Sequence, residues 1–148
     1  MLQKPILLVE DNPDDEKLTL RALKRNNIVN PVTVAHDGAE ALDMLVGEKA
    51  RPFGLILLDL RLPKLHGLKI LERLRADDKA KLTPVVVLTS SKEEADLIKS
   101  YSLGANSFIR KPVDFQKFAE AVGQLGMYWL MLNEPPPVAF AEPLAASA

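Results

Sequence analysis

The stretch Gly54-Leu55-Ile56-Leu57-Leu58-Asp59-Leu60-Arg61-Leu62-Pro63 decides how this chain folds. Leu55, Ile56, Leu57 and Leu58 run without interruption into a carboxylate. A run that short and that continuously apolar suits a strand buried on both faces, the central strand of a parallel sheet covered by helices. Asp59 then stands at the strand's C-terminal end. In an open α/β sheet, loops converge at that edge and reacting groups gather there. A lone Asp in such a place is often only a turn residue, so chemistry at Asp59 requires further groups at the same edge.

Upstream, Pro5 to Val9 (PILLV) is a second apolar run, and it stops at Glu10 and Asp11. Asn12-Pro13-Asp14-Asp15-Glu16 is a helix start, with Asn12 as N-cap, Pro13 at the first helical position and acids facing the positive end of the dipole. That helix is predicted to run to about Asn27. Pro31 to Ala35 (PVTVA) reads as a strand, and Asp37 with Glu40 forms a capping box for a helix from about Gly38 to Val46. Downstream of the central strand, Leu68, Ile70, Leu71 and Leu74 supply the apolar side of a helix near Gly67 to Arg75. The next strand, Pro84 to Leu88, ends in Thr89, Ser90 and Ser91. Ser91 with Glu94 makes a second capping box for a helix to about Ser102. Ser107 to Arg110 is the last strand, ending at Lys111-Pro112, and Asp114 caps a final helix to about Leu132. Strands alternating with helices in this way specify a parallel α/β sheet with right-handed crossovers. Pro135, Pro136, Pro137 and Pro143 break regular structure, so a domain over residues 1–132 with an extended last helix is expected, followed by a proline-rich, strap-like extension over 133–148.

A chain of 148 residues is one domain of ordinary size. Its 19 basic and 20 acidic residues nearly cancel, so no sequence-wide field favours nucleic acid or an anionic membrane. The absence of cysteine excludes disulfides, thiolate metal sites and cysteine nucleophiles. The start MLQKPILLVED has too few apolar residues before its acids for a signal peptide or a membrane span. A soluble cytoplasmic protein is the expectation.

The residues that follow the strands are Glu10 and Asp11, then Asp59, Thr89 and Lys111. Carboxylates packed together repel, and a cluster of them is stable around a hard cation. Mg²⁺ suits such a place, being held by one or two carboxylates together with phosphate oxygens. A lysine and a threonine beside it donate to the remaining phosphoryl oxygens. The set describes a phosphoryl group on Asp59.

These residues resemble the receiver domains of two-component response regulators over about residues 4 to 125. The likeness rests on VEDNP after the first strand, LLDLRLP around Asp59, the PVVVLTS strand, GANSFIRKP, and the spacings from Asp59 to Thr89 and on to Lys111. It implies a flavodoxin-like, doubly wound (βα)5 sheet with strand order 2-1-3-4-5. It also implies Asp59 as phosphoacceptor, Asp11 and Asp59 as direct Mg²⁺ ligands, Glu10 as a ligand through water and the Arg61 carbonyl as a further ligand, with Mn²⁺ or Ca²⁺ as substitutes. Lys111 would be the phosphate contact, Thr89 the switch hydroxyl and Phe108 the aromatic that changes rotamer. Such a protein takes its phosphoryl group from a sensor histidine kinase and is no enzyme beyond its own phosphorylation and dephosphorylation. His66 stands where many members carry an acid and is expected to be a loop residue with no catalytic role. His36 and His66 alone make no metal or triad site. Arg61 and Ser91 occupy variable positions that tune dephosphorylation in the family.

Competing classes fit less well. Phosphatases that use an aspartyl-phosphate commonly carry a second acid two residues after the nucleophile, where this chain has Arg61. A nucleotide or flavin site needs a Gly- or Ser/Thr-rich loop after the first strand, and Glu10 to Asp14 would repel its phosphate. A docking-only receiver would be expected to have lost one of Glu10, Asp11, Asp59, Thr89 and Lys111, and none is missing. A phosphorelay intermediate that passes its phosphoryl group to a histidine phosphotransfer protein is the other alternative. With no effector domain, output is expected through protein contact rather than DNA. The LDLRLPK segment, the YWL end of the last helix and the proline-rich tail are similar to single-domain regulators paired with bacterial phytochrome kinases. Met127 to Leu132 leaves that helix no polar face. A homodimer is therefore expected through the surface of the fourth helix, fifth strand and fifth helix, with Tyr128, Trp129 and Met131 in the interface.

Overall fold

A computed structural model of the chain describes residues 5–90, 93–111 and 115–129. The elements alternate as β1 (Ile6–Val9), α1 (Pro13–Arg25), β2 (Val32–Ala35), α2 (Gly38–Leu45), β3 (Leu55–Leu58), α3 (Gly67–Arg75), β4 (Val85–Thr89), α4 (Glu94–Ser102), β5 (Ser107–Arg110) and α5 (Phe115–Met127). All pairings are parallel, and the strand order is β2-β1-β3-β4-β5. The doubly wound arrangement expected from sequence is the one observed.

Every residue of β1, β3 and β4 is buried, because successive side chains of a covered strand face two different helix layers. Leu7, Val9, Ile56, Leu58, Val85 and Val87 join Ala41 and Leu45 of α2 with Ile70, Leu71 and Leu74 of α3 on one face. Ile6, Leu8, Leu55, Leu57, Val86 and Leu88 join Ala22 and Leu23 of α1 with Phe118, Ala119 and Val122 of α5 on the other. Each fully buried leucine or isoleucine contributes about 1.5–3 kcal/mol relative to exposure, so these two layers dominate stability. No buried residue of α4 belongs to either cluster; its inward residues are Asp96 and Ser100.

Helix starts follow local chemistry. The Asn12 side chain accepts from the Asp14 and Asp15 N–H groups at 2.9 and 3.0 Å. Asp37 accepts from the Glu40 N–H at 2.8 Å, while the Glu40 carboxylate reaches one residue further back than expected, to the His36 N–H at 3.0 Å. His66 is more than a loop residue: its Nδ1 accepts from the Leu68 N–H at 3.1 Å and caps α3. Helix α1 stops two residues short of Asn27, which exits with a φ of 59°, a conformation that Asn tolerates. Helix α4 starts at Glu94 with Glu93 as its N-cap and no side-chain capping bond. Ser91 of the expected capping box lies outside the described residues, as do Asp114, the expected helix end at 130–132 and the extension over 133–148. Helix α5 continues as a wider, π-type turn through Tyr128 and Trp129.

Two contacts brace the frame. The Arg75 guanidinium donates to the carbonyls of Lys81 (2.8 Å), Thr83 (2.7 Å) and Gly104 (2.7 Å), tying the end of α3 to the entries of β4 and β5. Gly67 opens α3 directly against the loop after β3. A Cβ there would stand 2.5 Å from the Asp59 carbonyl oxygen and 2.6 Å from the Leu60 Cα. Neither backbone atom can swing aside as a side chain can. Gly67→Ala should therefore cost about 1–3 kcal/mol through overpacking, read as a lower urea midpoint, whereas Val29→Ser, at a site 73% exposed, should stay within about 0.5 kcal/mol of the parent.

Candidate functional site

The parallel ladder carries on past the strand ends. Glu10 N–H donates to the Ala35 carbonyl at 3.0 Å, Asp59 N–H to the Val9 carbonyl at 3.0 Å, and Lys111 N–H to the Thr89 carbonyl at 2.6 Å. These bonds hold Glu10, Asp59 and Lys111 at the C-terminal edge of the sheet, and all three are buried. Lys111 Nζ lies 2.6 Å from Glu10 Oε1, 3.1 Å from Asp15 Oδ2 and 3.5 Å from Asp59 Oδ2. The other Asp59 oxygen, Oδ1, accepts from the Arg61 N–H at 3.1 Å. Thr89, fully buried, ends β4. Phe108 pairs with Val87 in the sheet and packs against the α2–α3 core layer. Since Thr89 lies two residues beyond Val87, Thr89 and Phe108 share one face of adjacent strands.

Charge is unbalanced in this cluster. Burial pushes the Glu10 carboxyl from an ordinary 4.5 up to about 7, against the hydrogen bond from Lys111 that lowers it. Burial on its own would lower Lys111, but its hydrogen bond to Glu10 and the charges of Asp59 and Glu10 carry it upward. The ligand atoms of Glu10, Asp15 and Asp59 all lie within 4.8 Å of one another. Carboxylate oxygens so close, with one ammonium among them, are a donor set that fits a hard divalent cation.

Most of the residues expected from sequence are brought together, with two differences. Asp11 is exposed and stands outside the grouped carboxylates. Asp15 takes the place beside them, although from sequence it reads only as one of the acids in the first turn of α1. Its signal is a matter of helix phase: with Asn12 as cap, Asp15 is the third helical residue and turns back over the sheet edge. The Arg61 side chain also makes contacts that sequence does not suggest, to Glu93 at 2.8 Å and Asp96 at 3.4 Å. The Glu93 hydrogen bond, more than any other cause, raises its pKa, and the charge of Asp59 adds to this. His36 pairs with Glu16 at 2.8 Å, away from the buried cluster. At the far end of α5, Trp129 is half-buried and packs in part against the α1–α5 core layer, while Tyr128 is exposed. Met131 lies outside the described residues.

A five-stranded parallel sheet in this order, with acids, a hydroxyl and a lysine at one edge, defines a receiver-type α/β protein. The chain belongs to the response regulator receiver domain family, whose profile matches residues 6–123. It is similar to the response regulator Rcp1 of Synechocystis sp., 38% identical over 132 residues that cover 86% of this chain and 89% of Rcp1. The Mn²⁺-bound form of Rcp1 superposes with a TM-score of 0.81 at 36% identity, covering 90% of this chain and 99% of Rcp1. The phosphorylated cyanobacterial phytochrome response regulator RcpA matches with a TM-score of 0.83 at 37% identity, over 91% of this chain and 99% of RcpA. The bacteriophytochrome response regulator RtBRR matches with a TM-score of 0.71 at 50% identity, over 93% of this chain and 86% of RtBRR. None of the described helices is long and apolar enough to cross a membrane.

Removing the ammonium should expose the imbalance. Lys111→Ala, measured by urea denaturation with EDTA at pH 8, should lose about 3–5 kcal/mol, the cost of leaving buried charges unpaired. A carboxyl raised in the folded state binds a proton on folding, so its favourable contribution is complete below 4.5 and is lost as pH rises toward about 7. Stability of the parent should fall across that window. In the variant the fall should extend to higher pH, and the deficit should be smaller at pH 5.

Proposed function

We propose that this protein is a phosphoacceptor response regulator, in which Asp59 takes a phosphoryl group from a sensor histidine kinase, of the bacterial phytochrome type. The observation that carries the reading is the group of buried Lys111, Glu10 and Asp59 with half-buried Asp15 at the sheet edge, where anionic oxygens outnumber the ammonium. An Asp59 carboxylate oxygen attacks phosphorus, the bond from phosphorus to the kinase histidine nitrogen breaks, and an acyl phosphate forms. Lys111 leaves its carboxylate partners in part to meet a phosphoryl oxygen, and the Thr89 hydroxyl donates to another. Glu10 and Asp59, with Asp15 or Asp11 and the Arg61 carbonyl, would hold Mg²⁺, with Mn²⁺ or Ca²⁺ as substitutes. Such an ion neutralises charge on the transferring phosphoryl oxygens.

Thr89 and Phe108 form the readout: as the hydroxyl moves toward the phosphoryl group, the space it leaves admits the Phe108 ring. The protein turns over no separate substrate and catalyses only its own phosphorylation and dephosphorylation. It acts in the cytoplasm through protein contact and without nucleic acid or membrane. A homodimer through the α4–β5–α5 surface is supported by Ile98, Tyr101 and Tyr128, which are exposed there.

With acetyl phosphate and Mg²⁺, the parent should gain an acid-stable, base-labile phosphoryl group. Asp59→Asn should gain none, EDTA should abolish uptake, and equal labelling of Asp59→Asn would refute the acceptor. Thr89→Ala should be labelled, yet lose the chemical-shift changes across α4, β5 and α5 that phosphorylation brings to the parent. Sedimentation velocity at micromolar concentration should show a dimer that Tyr128→Glu weakens; a parent that stays monomeric with and without phosphorylation would remove the dimer.

A further inference from the structure

Helix α4 is built the wrong way round for a helix held by a core. Its outward residues include Ile98, 62% exposed, and Tyr101, 51% exposed, while Asp96 and Ser100 face inward. Ser100 Oγ is buried with no hydrogen-bond partner among the described residues. Apolar burial, the usual source of helix stability, therefore contributes little to seating α4. What does reach its first turn is a charge. Arg61 Nη2 lies 2.8 Å from Glu93 Oε1 and 3.4 Å from Asp96 Oδ2. The same residue donates its backbone N–H to Asp59 Oδ1. Arg61 thus touches the acceptor carboxylate with its main chain and the start of α4 with its side chain.

We propose that Arg61 is a positioning residue that ties α4 to the acceptor loop in the resting protein and releases it when Asp59 is phosphorylated. The inference rests on Asp59 being the acceptor. A phosphoryl group adds charge and strong acceptor oxygens two residues from the guanidinium. Those oxygens compete with Glu93 and Asp96 for the same N–H donors. The Glu93 and Asp96 contacts loosen, and α4 has no buried apolar stripe to hold it in place. This route to α4 is separate from the Thr89 and Phe108 pair on the neighbouring strands.

The test is amide hydrogen exchange across residues 94–102 in Mg²⁺, with and without beryllofluoride, which binds a carboxylate as a tetrahedral phosphoryl mimic. Occupancy is read independently by fluorine NMR, with Asp59→Asn as the blank. In the parent, beryllofluoride should speed exchange in α4 by about fivefold, the size that a partly exposed ion pair supports. Arg61→Ala should exchange at that faster rate already at rest and change by less than about twofold on binding. The double variant Glu93→Gln/Asp96→Asn, which leaves the acceptor loop intact, should behave like Arg61→Ala, and α3 should be unaffected throughout. If beryllofluoride binds but Arg61→Ala rests at the parental rate or responds in full, the role of Arg61 is overturned and the acceptor stands. If the parent shows no Asp59-dependent occupancy, the acceptor reading and this inference fall together.

Discussion

Anionic oxygens crowded around one ammonium, at the edge of a sheet whose central strands are buried and almost wholly apolar, are the constraint on which the rest of this structure depends. The strands β1, β3 and β4 make a low-polarity floor, and charge placed on it is poorly solvated. That is why Glu10 holds its proton to about pH 7. Replacing such a group of charges with apolar residues often leaves a protein no less stable, and sometimes more so. Stability therefore gives little reason to keep it, and the reason is better sought in what the edge binds.

The fold serves that edge through register. Because the ladder bonds run one residue beyond each strand, Glu10, Asp59 and Lys111 inherit the backbone precision of the sheet although they lie in loops. Gly67 then brings the first turn of α3 against Asp59 and Leu60, closing the loop behind the carboxylate. On the opposite side, Lys64 adopts a φ of 68° and its ammonium lies 3.3 Å from Asp37 at the start of α2. The segment after β3 is thus fastened to α3 by backbone fit and to α2 and α4 by side-chain charge.

The alternation of strands and helices and the groups at the edge were legible because each rests on a local signal, whereas the spatial order of the strands followed from the family resemblance. Leu55 to Leu58 is too short for a helix and too apolar for a loop, and Asn12-Pro13 can start little else. What was not legible depends on angle or on distance along the chain. Asp11 and Asp15 differ by one helical turn, and which of them faces Lys111 is set by the angle at which α1 leaves β1. Trp129 reads as surplus apolar area until the path of α5 over α1 is known. That closeness depends on Gly123, which a Cβ would drive into the Asn26 side chain. Arg61 meets partners 32 and 35 residues away, and Arg75 bonds to backbone carbonyls, which no side-chain pattern announces.

The carbonyl bonds of Arg75 have a mechanical consequence for α4. The helix leads into Gly104, whose carbonyl the Arg75 guanidinium grips together with that of Thr83, so its C-terminal end is moored to the base of the sheet. Its N-terminal end hangs on ion pairs at the opposite edge. A rod of 9 residues, about 14 Å long, fixed at one end and tethered at the other, is a lever. Were the ion pairs to part as proposed, the fulcrum would lie beside Ser102 and the travel would be greatest at Glu94, the end farthest from that mooring.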